Sequence, residues 1–145
     1  MLPALILDVA IIHVHRADRY GNAQIEGITG FGAEMARACK RLIISTEEIV
    51  DTDEIRKYPD RTIIPYFLVD AVVHAPFGSH PGEMAYVYGR DEPVIKEWID
   101  ASKTDEGARA YLDKYIYGVA NHKEYMELIG NERLSQLVNE REKRV

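Results

Sequence analysis

Two histidines near the start of the chain are the first side chains whose spacing suggests chemistry. His13 and His15 lie two residues apart, so a strand would place both imidazoles on one face, where they can bind a metal ion. A hydrolytic metal centre needs a third or fourth ligand in a coherent set. The remaining histidines show no such pattern along the sequence. We therefore interpret the pair as structural and predict no metal site, with a metal hydrolase as the alternative that bound zinc or iron would support.

Two adjacent glutamates form a second candidate for chemistry. Glu47 and Glu48 follow an apolar run over residues 42–44. If that run belongs to a parallel sheet, at least one carboxylate projects near the carboxyl edge, where α/β proteins bind ligands. A carboxylate there can act as a nucleophile or general base, and the alternative is an ion pair with Arg41 or Arg61.

A loop rich in proline and glycine, residues 76–82, contains Ser79 and His80. A rigid frame of this kind suits the positioning of a substrate or the packing of two subunits. No nucleophile elbow surrounds Ser79 and no acidic partner is evident nearby in the sequence, which argues against a serine nucleophile. We interpret the loop as a binding or interface segment.

Apolar patterning indicates which elements hold these segments. Residues 5–14 are nearly continuous in apolar and β-branched side chains, which favours a strand buried on both faces of a parallel sheet. Gly21 and Asn22 tolerate positive φ and predict a tight turn after it. Further strands are predicted over residues 23–27, 41–49 and 68–74, and helical segments over 33–41 and 51–57.

The last third of the sequence has helical patterning. Asp91 predicts an N-cap with Pro93 in the first turn that follows, and Gly118 ends a second helix. Asn121 with Glu124 forms a capping-box variant, and a charged helix is predicted over residues 131–144. We therefore predict one α/β domain, with strands and interspersed helices within residues 1–90 and a helical part over 91–145.

Composition excludes several classes of function. The net charge of -6 disfavours binding to nucleic acid. The single cysteine, Cys39, rules out an internal disulfide and a cysteine-based zinc cluster, and we expect a cytoplasmic protein. The longest apolar stretch, residues 2–12, is interrupted by Asp8 and falls short of the roughly 20 residues that span a bilayer, so we expect no membrane insertion.

The order of the motifs resembles the A-type chain of family I CoA-transferases. Residues 8–25 are similar to that family's strand, Ala-Asp-x-x-Gly-Asn turn and second strand. Residues 36–40 resemble its Ala-rich helix, residues 41–50 its Glu-Glu-Ile-Val strand, and residues 64–73 its Ile-Pro-x-x-x-Val-Asp-Ala-Val-Val segment. The loop at 77–81 and the helix at 111–118 resemble the glutaconate-type branch, so the similarity covers nearly the whole chain.

The resemblance implies an A-type (alpha) subunit with a Rossmann-like, open, mostly parallel sheet. It also implies that this subunit pairs with a B-type subunit, commonly in a heterotetramer with its active site at the boundary. It implies ping-pong transfer of CoA between an acyl-CoA and a carboxylic acid, through a glutamyl-CoA formed on the partner. Coenzyme A is then a substrate, and no tightly bound cofactor is expected. The similarity falls on the C-terminal half of the A-type subunit. We therefore expect the N-terminal strands, with their Gly-Gly-Phe type loop, to be missing here, and no activity without a partner chain.

On this resemblance, the nucleophilic glutamate is not assigned to Glu47 or Glu48, which remain candidates for shaping the site. The expected substrate-positioning residues are Arg16, Tyr20, Asn22, Gln24, Ser79 and His80. Two alternatives stay open. A CoA-ester hydrolase of the same superfamily, of the steroid ring-opening type, would use water in place of the acceptor acid. A non-catalytic assembly module would only bind a partner subunit.

Overall fold

The computed structural model describes residues 6–142, apart from the side chains of residues 140–142. The chain divides into two compact units, the first ending at Gly78 and the second beginning at Ser79. Our expectation of a single domain whose character changes at residue 91 stays a prediction. None of the helices within the described residues is long and apolar enough to cross a membrane.

The first unit is built on an open, five-stranded sheet. Its strands are β1 (Leu7–Asp18), β2 (Ala23–Gln24), β3 (Cys39–Val50), β4 (Thr62–Ile64) and β5 (Ala71–His74). They are arranged in the order β4-β2-β1-β3-β5. The β1–β3 and β3–β5 ladders are parallel and hold most of the paired residues, whereas β2 joins β1 and β4 in antiparallel fashion. The predicted α/β fold with a mostly parallel open sheet is confirmed.

Two helices accompany this sheet, α1 (Gly32–Ala38) and α2 (Thr52–Lys57). The first is shorter than predicted, because the backbone is already extended at Cys39, where β3 begins. The second begins as expected, with the Asp51 side chain accepting a hydrogen bond from the Asp53 amide. The strand predicted over residues 68–74 starts only at Ala71, since a 3₁₀ turn occupies Tyr66–Leu68.

In β1, the buried side chains of Ala10, Ile12 and Val14 share one face of the sheet and contribute to the core of the first unit. The buried cluster consists of Ala10, Ile12, Val14, Ala17, Ala23, Ala36, Leu42, Ile44 and Ile64. On the opposite face, the side chains of Val9 and Ile11 are 54% and 66% exposed. The prediction that residues 5–14 are buried on both faces is therefore wrong for residues 6–11, because Ala36 of α1 packs with Ala10 and Ile12, whereas Val9 and Ile11 lie on the opposite face. Leu5 lies outside the described residues.

The second unit contains helices α3 (Glu92–Ala101), α4 (Asp105–Leu112), α5 (His122–Ile129) and α6 (Asn131–Glu142). A π-helical stretch, Asp113–Tyr117, continues α4 up to Gly118. The predicted caps are confirmed: Asp91 accepts from the Val94 amide, and Asn121 accepts from the Glu124 amide. The buried apolar side chains of this unit are Met84, Tyr88, Tyr115, Leu134 and Leu137.

Candidate functional site

The parallel register of β1 and β3 brings together three polar side chains that are far apart in the sequence. His13 is paired with Ser45, and side chains alternate along a strand, so Ser45 and Glu47 share one face. The His13 Nδ1 atom lies 2.9 Å from Ser45 Oγ, and its Nε2 atom lies 2.6 Å from Glu47 Oε1. Only 14% of the His13 side chain and 9% of the Glu47 side chain are exposed. At Glu47, the structure shows a contact with His13, where the sequence had left an ion pair with Arg41 or Arg61 as an alternative.

The segment after β5 closes over this cluster. The second carboxylate oxygen of Glu47 accepts a hydrogen bond of 2.7 Å from the backbone amide of Phe77. Gly78 lies against the imidazole: a Cβ atom at this position would lie 2.5 Å from Cε1 of His13. Both oxygens of Glu47 are thus engaged, and its carboxylate anchors the Phe77–Gly78 backbone. Glu48, by contrast, is exposed near the end of β3.

A buried aspartate organises the turn between β1 and β2. One oxygen of Asp18 accepts hydrogen bonds from the backbone amides of Tyr20, Gly21 and Asn22, at 2.9–3.0 Å. Its other oxygen accepts one from the Asn22 side chain, at 2.8 Å. Burial raises the pKa of Asp18, but the hydrogen bonds from Asn22, Thr52 and the turn outweigh it, so this pKa lies below its ordinary value. Gly21, at φ 103°, meets the conformational demand of the turn.

The remaining residues predicted beside this turn take different positions. Arg16 forms an ion pair of 2.6 Å with Glu26, and both side chains are partly exposed. The Asn22 side-chain oxygen accepts from the Tyr66 amide at 3.1 Å. Gln24 is buried and donates to the carbonyl oxygens of Ile55 and Tyr58. Asn22 and Gln24 therefore hold neighbouring backbone, whereas Arg16 can be reached by a ligand.

A cleft of about 520 Å³ lies where β1 and β3 end, at the carboxyl edge of the sheet. It is lined by Arg19, Tyr20, Ile49, Val50, Asp51, Thr52, Asp53 and Arg56. The Arg19 guanidinium lies 4.6 Å from the centre of the Tyr20 ring and also donates to its hydroxyl. Arg56 is paired with Asp53 at 2.8 Å. This cleft is polar and carries charges of both signs.

The histidine pair does not form a shared site. His13 contacts Ser45 and Glu47, while the Nδ1 atom of His15 accepts a hydrogen bond of 3.0 Å from the Glu26 amide. Within the described residues, no group of three or more His, Cys, Asp or Glu side chains is arranged to hold a metal ion. The two imidazoles thus have separate structural contacts.

In the second unit, His80 is the centre of a buried polar chain. Its Nε2 atom lies 3.1 Å from Asp91 Oδ2, and its Nδ1 atom lies 2.6 Å from the Tyr125 hydroxyl. Asp91 also accepts two hydrogen bonds from Arg133, from Nε at 3.1 Å and from Nη2 at 3.0 Å. Burial raises the pKa of Asp91, but hydrogen bonds from Arg133 and His80 outweigh it and hold this pKa below its ordinary value. Ser79 lies beside this chain along the sequence, and its amide donates to the Tyr88 hydroxyl.

A second cavity, of about 530 Å³, opens next to this chain. Its lining consists of His80, Pro81, Tyr111, Tyr115, Ile116, Val119, Ala120, Asn121, His122 and Tyr125. Burial raises the pKa of Tyr125 to about 12, so its hydroxyl stays protonated at neutral pH. We call this cavity the tyrosine pocket. Its walls are mainly aromatic and aliphatic, in contrast to the charged cleft of the first unit.

The structure thus brings Arg16, Tyr20, Asn22 and Gln24 to one turn, places Glu47 beneath the Phe77–Gly78 segment, and places Ser79 and His80 in the second unit. Whether these residues bind substrate stays a prediction. Sequence reasoning missed Ser45, Asp18 and Tyr125. The register of the two apolar strands would have paired His13 with Ser45, and Asp18 stands at the position that commonly accepts from a following turn. No local pattern indicates the contact between His80 and Tyr125.

Comparison with known proteins then decides the family. The model of the family described as coenzyme A transferase matches residues 1–75. The chain belongs to the coenzyme A transferase family. The predicted resemblance to the A-type subunits of this family is confirmed, since 94% of the chain aligns at 37% identity with the A-type subunit of glutaconate CoA-transferase from Acidaminococcus fermentans. The aligned part is 42% of that relative's length.

The solved structure of glutaconate coenzyme A-transferase from the same organism superposes on 90% of this transferase-family chain, with a TM-score of 0.88. The two sequences are 38% identical over this part, which is 41% of the chain in that structure. Two further relatives are similar to this chain over most of its length. A protein of Archaeoglobus fulgidus, described as uncharacterised, is 57% identical over 94% of this chain, which covers 31% of it. The cholesterol ring-cleaving hydrolase IpdA subunit of Mycobacterium tuberculosis is 35% identical over 81% of this chain, which covers 41% of it. The chain therefore spans about a third to two fifths of the length of these relatives.

Proposed function

We propose that this chain is part of the A-type subunit of a CoA-transferase, which moves CoA between an acyl-CoA thioester and a free carboxylic acid. The observation that carries the proposal is the similarity to glutaconate CoA-transferase, at a TM-score of 0.88 and 38% identity over 90% of the chain. The two proteins thus share more than a third of their aligned residues as well as their backbone path. Coenzyme A is then a substrate rather than a resident cofactor.

The reaction we propose has two halves. A glutamate carboxylate attacks the carbonyl carbon of the donor thioester, which releases CoA thiolate and forms an acyl-glutamyl anhydride. The thiolate attacks the glutamyl carbonyl carbon, giving a glutamyl-CoA thioester and the free donor acid. The acceptor carboxylate then repeats these steps in reverse, which yields the new acyl-CoA and restores the glutamate. No oxidant or reductant is required.

The contacts of Glu47 support a nucleophile located on a B-type partner chain. Any carboxylate nucleophile must bring one oxygen within reach of a thioester carbon. One oxygen of Glu47 lies 2.6 Å from His13, and the other accepts from the Phe77 amide. To attack, Glu47 would have to give up a buried contact and release the Phe77–Gly78 segment. Its role in this proposal is to hold that segment.

The predicted substrate-binding residues divide into two groups under this proposal. Arg16 and Tyr20 are at least partly exposed and are able to contact a ligand directly. Asn22, Gln24 and His80 act through the backbone and side chains that they hold. The Ser79 hydroxyl donates to the Met84 sulfur at 3.6 Å, so in this proposal Ser79 helps to position the loop that carries His80. The members of the first group should affect KM, and those of the second group both KM and kcat.

The experiment that tests this proposal is recovery of the tagged chain from its native host, followed by mass spectrometry of the captured proteins. We expect a B-type subunit, together with an exchange of CoA between acyl-CoA and free acids that the isolated chain lacks. Treatment of the loaded complex with hydroxylamine should then convert the glutamyl-CoA to a hydroxamate on the partner. A hydroxamate on Glu47, or full activity of the isolated chain, would overturn the proposed division of labour.

Variants of the two glutamates provide a matched comparison within this experiment. Glu47→Gln keeps the size of the side chain, yet it weakens the contact with His13, so we expect reduced turnover with the hydroxamate still formed on the partner. Glu48→Gln changes an exposed neighbour and should leave turnover unchanged. Complete loss of the partner's hydroxamate in Glu47→Gln alone would indicate that Glu47 takes part in the chemistry itself.

A CoA-ester hydrolase is the second candidate, because the ring-cleaving hydrolase is nearly as similar to this chain as the glutaconate enzyme is, at 35% against 37% identity. In a hydrolase, water attacks the thioester-derived carbonyl in place of the acceptor acid. Acceptor dependence separates the two candidates. Release of free CoA at the same rate with and without an added carboxylic acid would favour hydrolysis, whereas an absolute need for the acid would favour transfer.

A further inference from the structure

We propose that the tyrosine pocket of the second unit holds the pantetheine arm of coenzyme A. This inference rests on the proposed function, in which CoA is a substrate, and it assigns one part of that molecule to one cavity. The cavity volume of about 530 Å³ lies within the range of ordinary small-molecule sites. Its position next to the His80 loop agrees with the sequence-based prediction that this loop contributes to binding.

The charge of the lining favours this end of CoA over the nucleotide end. None of the described residues that line the tyrosine pocket is a lysine, arginine, aspartate or glutamate. A phosphate group needs cationic or amide-rich surroundings, and a free carboxylate needs a similar partner. The pantetheine arm is uncharged and alternates two amides with short apolar stretches. An aromatic and aliphatic wall with a few polar atoms matches that alternation.

At the polar end of the pocket, hydrogen bonds join Asp91, His80 and Tyr125. Asp91 is a carboxylate with its pKa held low, so it only accepts, and His80 Nε2 must carry the proton between them. The Nδ1 atom of His80 lies 2.6 Å from the protonated hydroxyl of Tyr125. Among the described residues, Tyr125 makes no other hydrogen bond through that hydroxyl. Its oxygen is therefore an acceptor for an amide N–H of the ligand.

The walls of the pocket are held in place by contacts between tilted aromatic rings. The centre of the Tyr111 ring lies 4.6 Å from that of Tyr115 and 5.0 Å from that of Trp98. The Tyr115 hydroxyl donates to Glu97 at 2.8 Å, which directs that polar atom to a fixed partner. A wall that is already ordered needs little rearrangement when a narrow ligand enters.

Calorimetric titration of the full chain tests the inference with three probes: CoA, D-pantetheine under reducing conditions, and adenosine 3′,5′-bisphosphate. We expect D-pantetheine to bind, and the bisphosphate not to compete with it. Val119→Phe places a ring in the pocket and should weaken D-pantetheine binding at least tenfold. Leu128→Phe makes a comparable enlargement at an exposed position outside the lining, and should leave that binding unchanged. Failure of the wild-type chain to bind D-pantetheine, or equal binding by the Val119→Phe chain, would overturn the inference.

Removal of one hydroxyl tests the polar end of the pocket. Tyr125→Phe should weaken D-pantetheine binding by about two- to tenfold, as expected for the loss of one hydrogen bond. Tyr117→Phe is the matched control, because Tyr117 is 74% exposed and does not line the pocket. An equal effect of both substitutions would contradict an acceptor role for Tyr125.

Acyl-CoA exchange by the recovered complex tests the proposed function independently of D-pantetheine binding. If acyl-CoA exchange is acceptor-dependent but its KM for the acyl-CoA is unchanged in Val119→Phe, the pocket assignment fails while the transferase proposal stands. If the complex exchanges no CoA at all, yet the chain binds D-pantetheine through Val119 and Tyr125, the transferase proposal fails while the assignment of the pocket stands.

Discussion

Asp18 and Asp91 are fully buried aspartates, one in each compact unit, and they are stabilised in different ways. Asp18 accepts from backbone amides two to four residues further along the chain and from the Asn22 side chain. Asp91 accepts from His80 and Arg133, which are separated from it by 11 and 42 residues. Burial raises both pKa values, but hydrogen bonds outweigh it: those of its own turn together with Thr52 lower the pKa of Asp18, and those of Arg133 and His80 together with the Val94 amide lower the pKa of Asp91.

The difference between the two aspartates shows which part of the fold depends on neighbouring residues and which part depends on residues distant in the sequence. A carboxylate that collects the amides of its own turn fixes one turn, and it needs only a short stretch of sequence to do so. A carboxylate that joins two distant side chains fixes the relative positions of elements in the second unit. We therefore expect loss of the Asp18 carboxylate to act mainly on its surroundings and loss of the Asp91 carboxylate to act on the whole of its unit.

The largest effect is expected for Asp91→Ala. This change removes the N-cap of α3 and leaves the Arg133 guanidinium and the His80 ring without their buried acceptor. We expect the free energy of unfolding of the second unit to fall by about 3–5 kcal/mol, as for other buried ion pairs that lose one partner. Urea unfolding followed by the fluorescence of Trp98, the chain's single tryptophan, reports on this unit.

The control for this prediction is Asp100→Ala. Asp100 is paired with Lys103, and both of these side chains are largely exposed, so its loss should move the urea midpoint far less. Equal shifts of the midpoint in the two variants would show that the network of Asp91, His80 and Arg133 does not join the second unit together.

The next effect in size is expected for Asp18→Ala. It leaves the amides of Tyr20, Gly21 and Asn22 without their acceptor at a buried site. We expect a loss of about 1.5–3 kcal/mol in the first unit, the range for hydrogen bonds to a charged group. Amide hydrogen exchange of the peptides from β1 and β2 measures it. Asp8→Ala, at the exposed end of the same strand, should leave their exchange unchanged. Faster exchange in the second unit than in the first would contradict the local role of Asp18.

The same contrast explains what the sequence allowed us to predict. The order of strands and helices, the caps at Asp91 and Asn121, and the turn at Gly21 follow from local patterns, and the structure confirms them, with shifts in the bounds of α1 and β5. The resemblance to the A-type subunits of CoA-transferases also depends on motifs in sequence order. The exposure of Val9 and Ile11 was not predictable, because apolar patterning shows only that a side chain is suited to burial.

The candidate site was predicted less completely than the fold, for a related reason. Glu47 was selected from its place after a strand, but its contacts with His13 and the Phe77 amide depend on strand register and on the path of a later loop. His80 was selected from the composition of its loop, whereas its partners Tyr125 and Asp91 are brought to it by helix packing. Residue type indicates which groups need partners, and only the packed structure shows which partners they have.

Acidification should weaken both aspartate networks. A carboxyl group whose pKa is lower in the folded state than its ordinary value of 3.8 binds its proton more readily after unfolding. The stability that it contributes is therefore present above pH 3.8 and is lost as the pH falls through the lowered pKa. We expect the urea midpoint of each unit to fall with pH in this acidic range. The effect should be smaller than that of the alanine variants, because a protonated carboxyl group still accepts some hydrogen bonds.

Asparagine variants provide the control for this pH dependence. In Asp91→Asn the Trp98 transition should start from a lower midpoint and depend less on pH below 3.8, since the titrating group is absent. The second unit of Asp18→Asn should keep the pH dependence of the wild-type protein. An unaltered acid slope of the Trp98 transition in Asp91→Asn would show that other groups determine the acid sensitivity of this unit.

The smallest effect is expected for Asn121→Ala. This variant tests a local helix cap within the second unit, where Asp91 joins residues that are distant in the sequence. Asn121 accepts from the Glu124 amide at 3.1 Å and donates to its side chain at 3.2 Å, and both residues are exposed. Because water replaces an exposed partner, we expect a loss of about 1 kcal/mol, typical of an N-cap. The Trp98 transition in urea measures it. Asn121→Ser should restore most of the stability, since serine is also a favourable N-cap and brings no charge next to Glu124, and Asn139→Ala, within α6, should change little. A loss in Asn121→Ala as large as that in Asp91→Ala would mean that local caps, and not the buried network, determine the stability of the second unit.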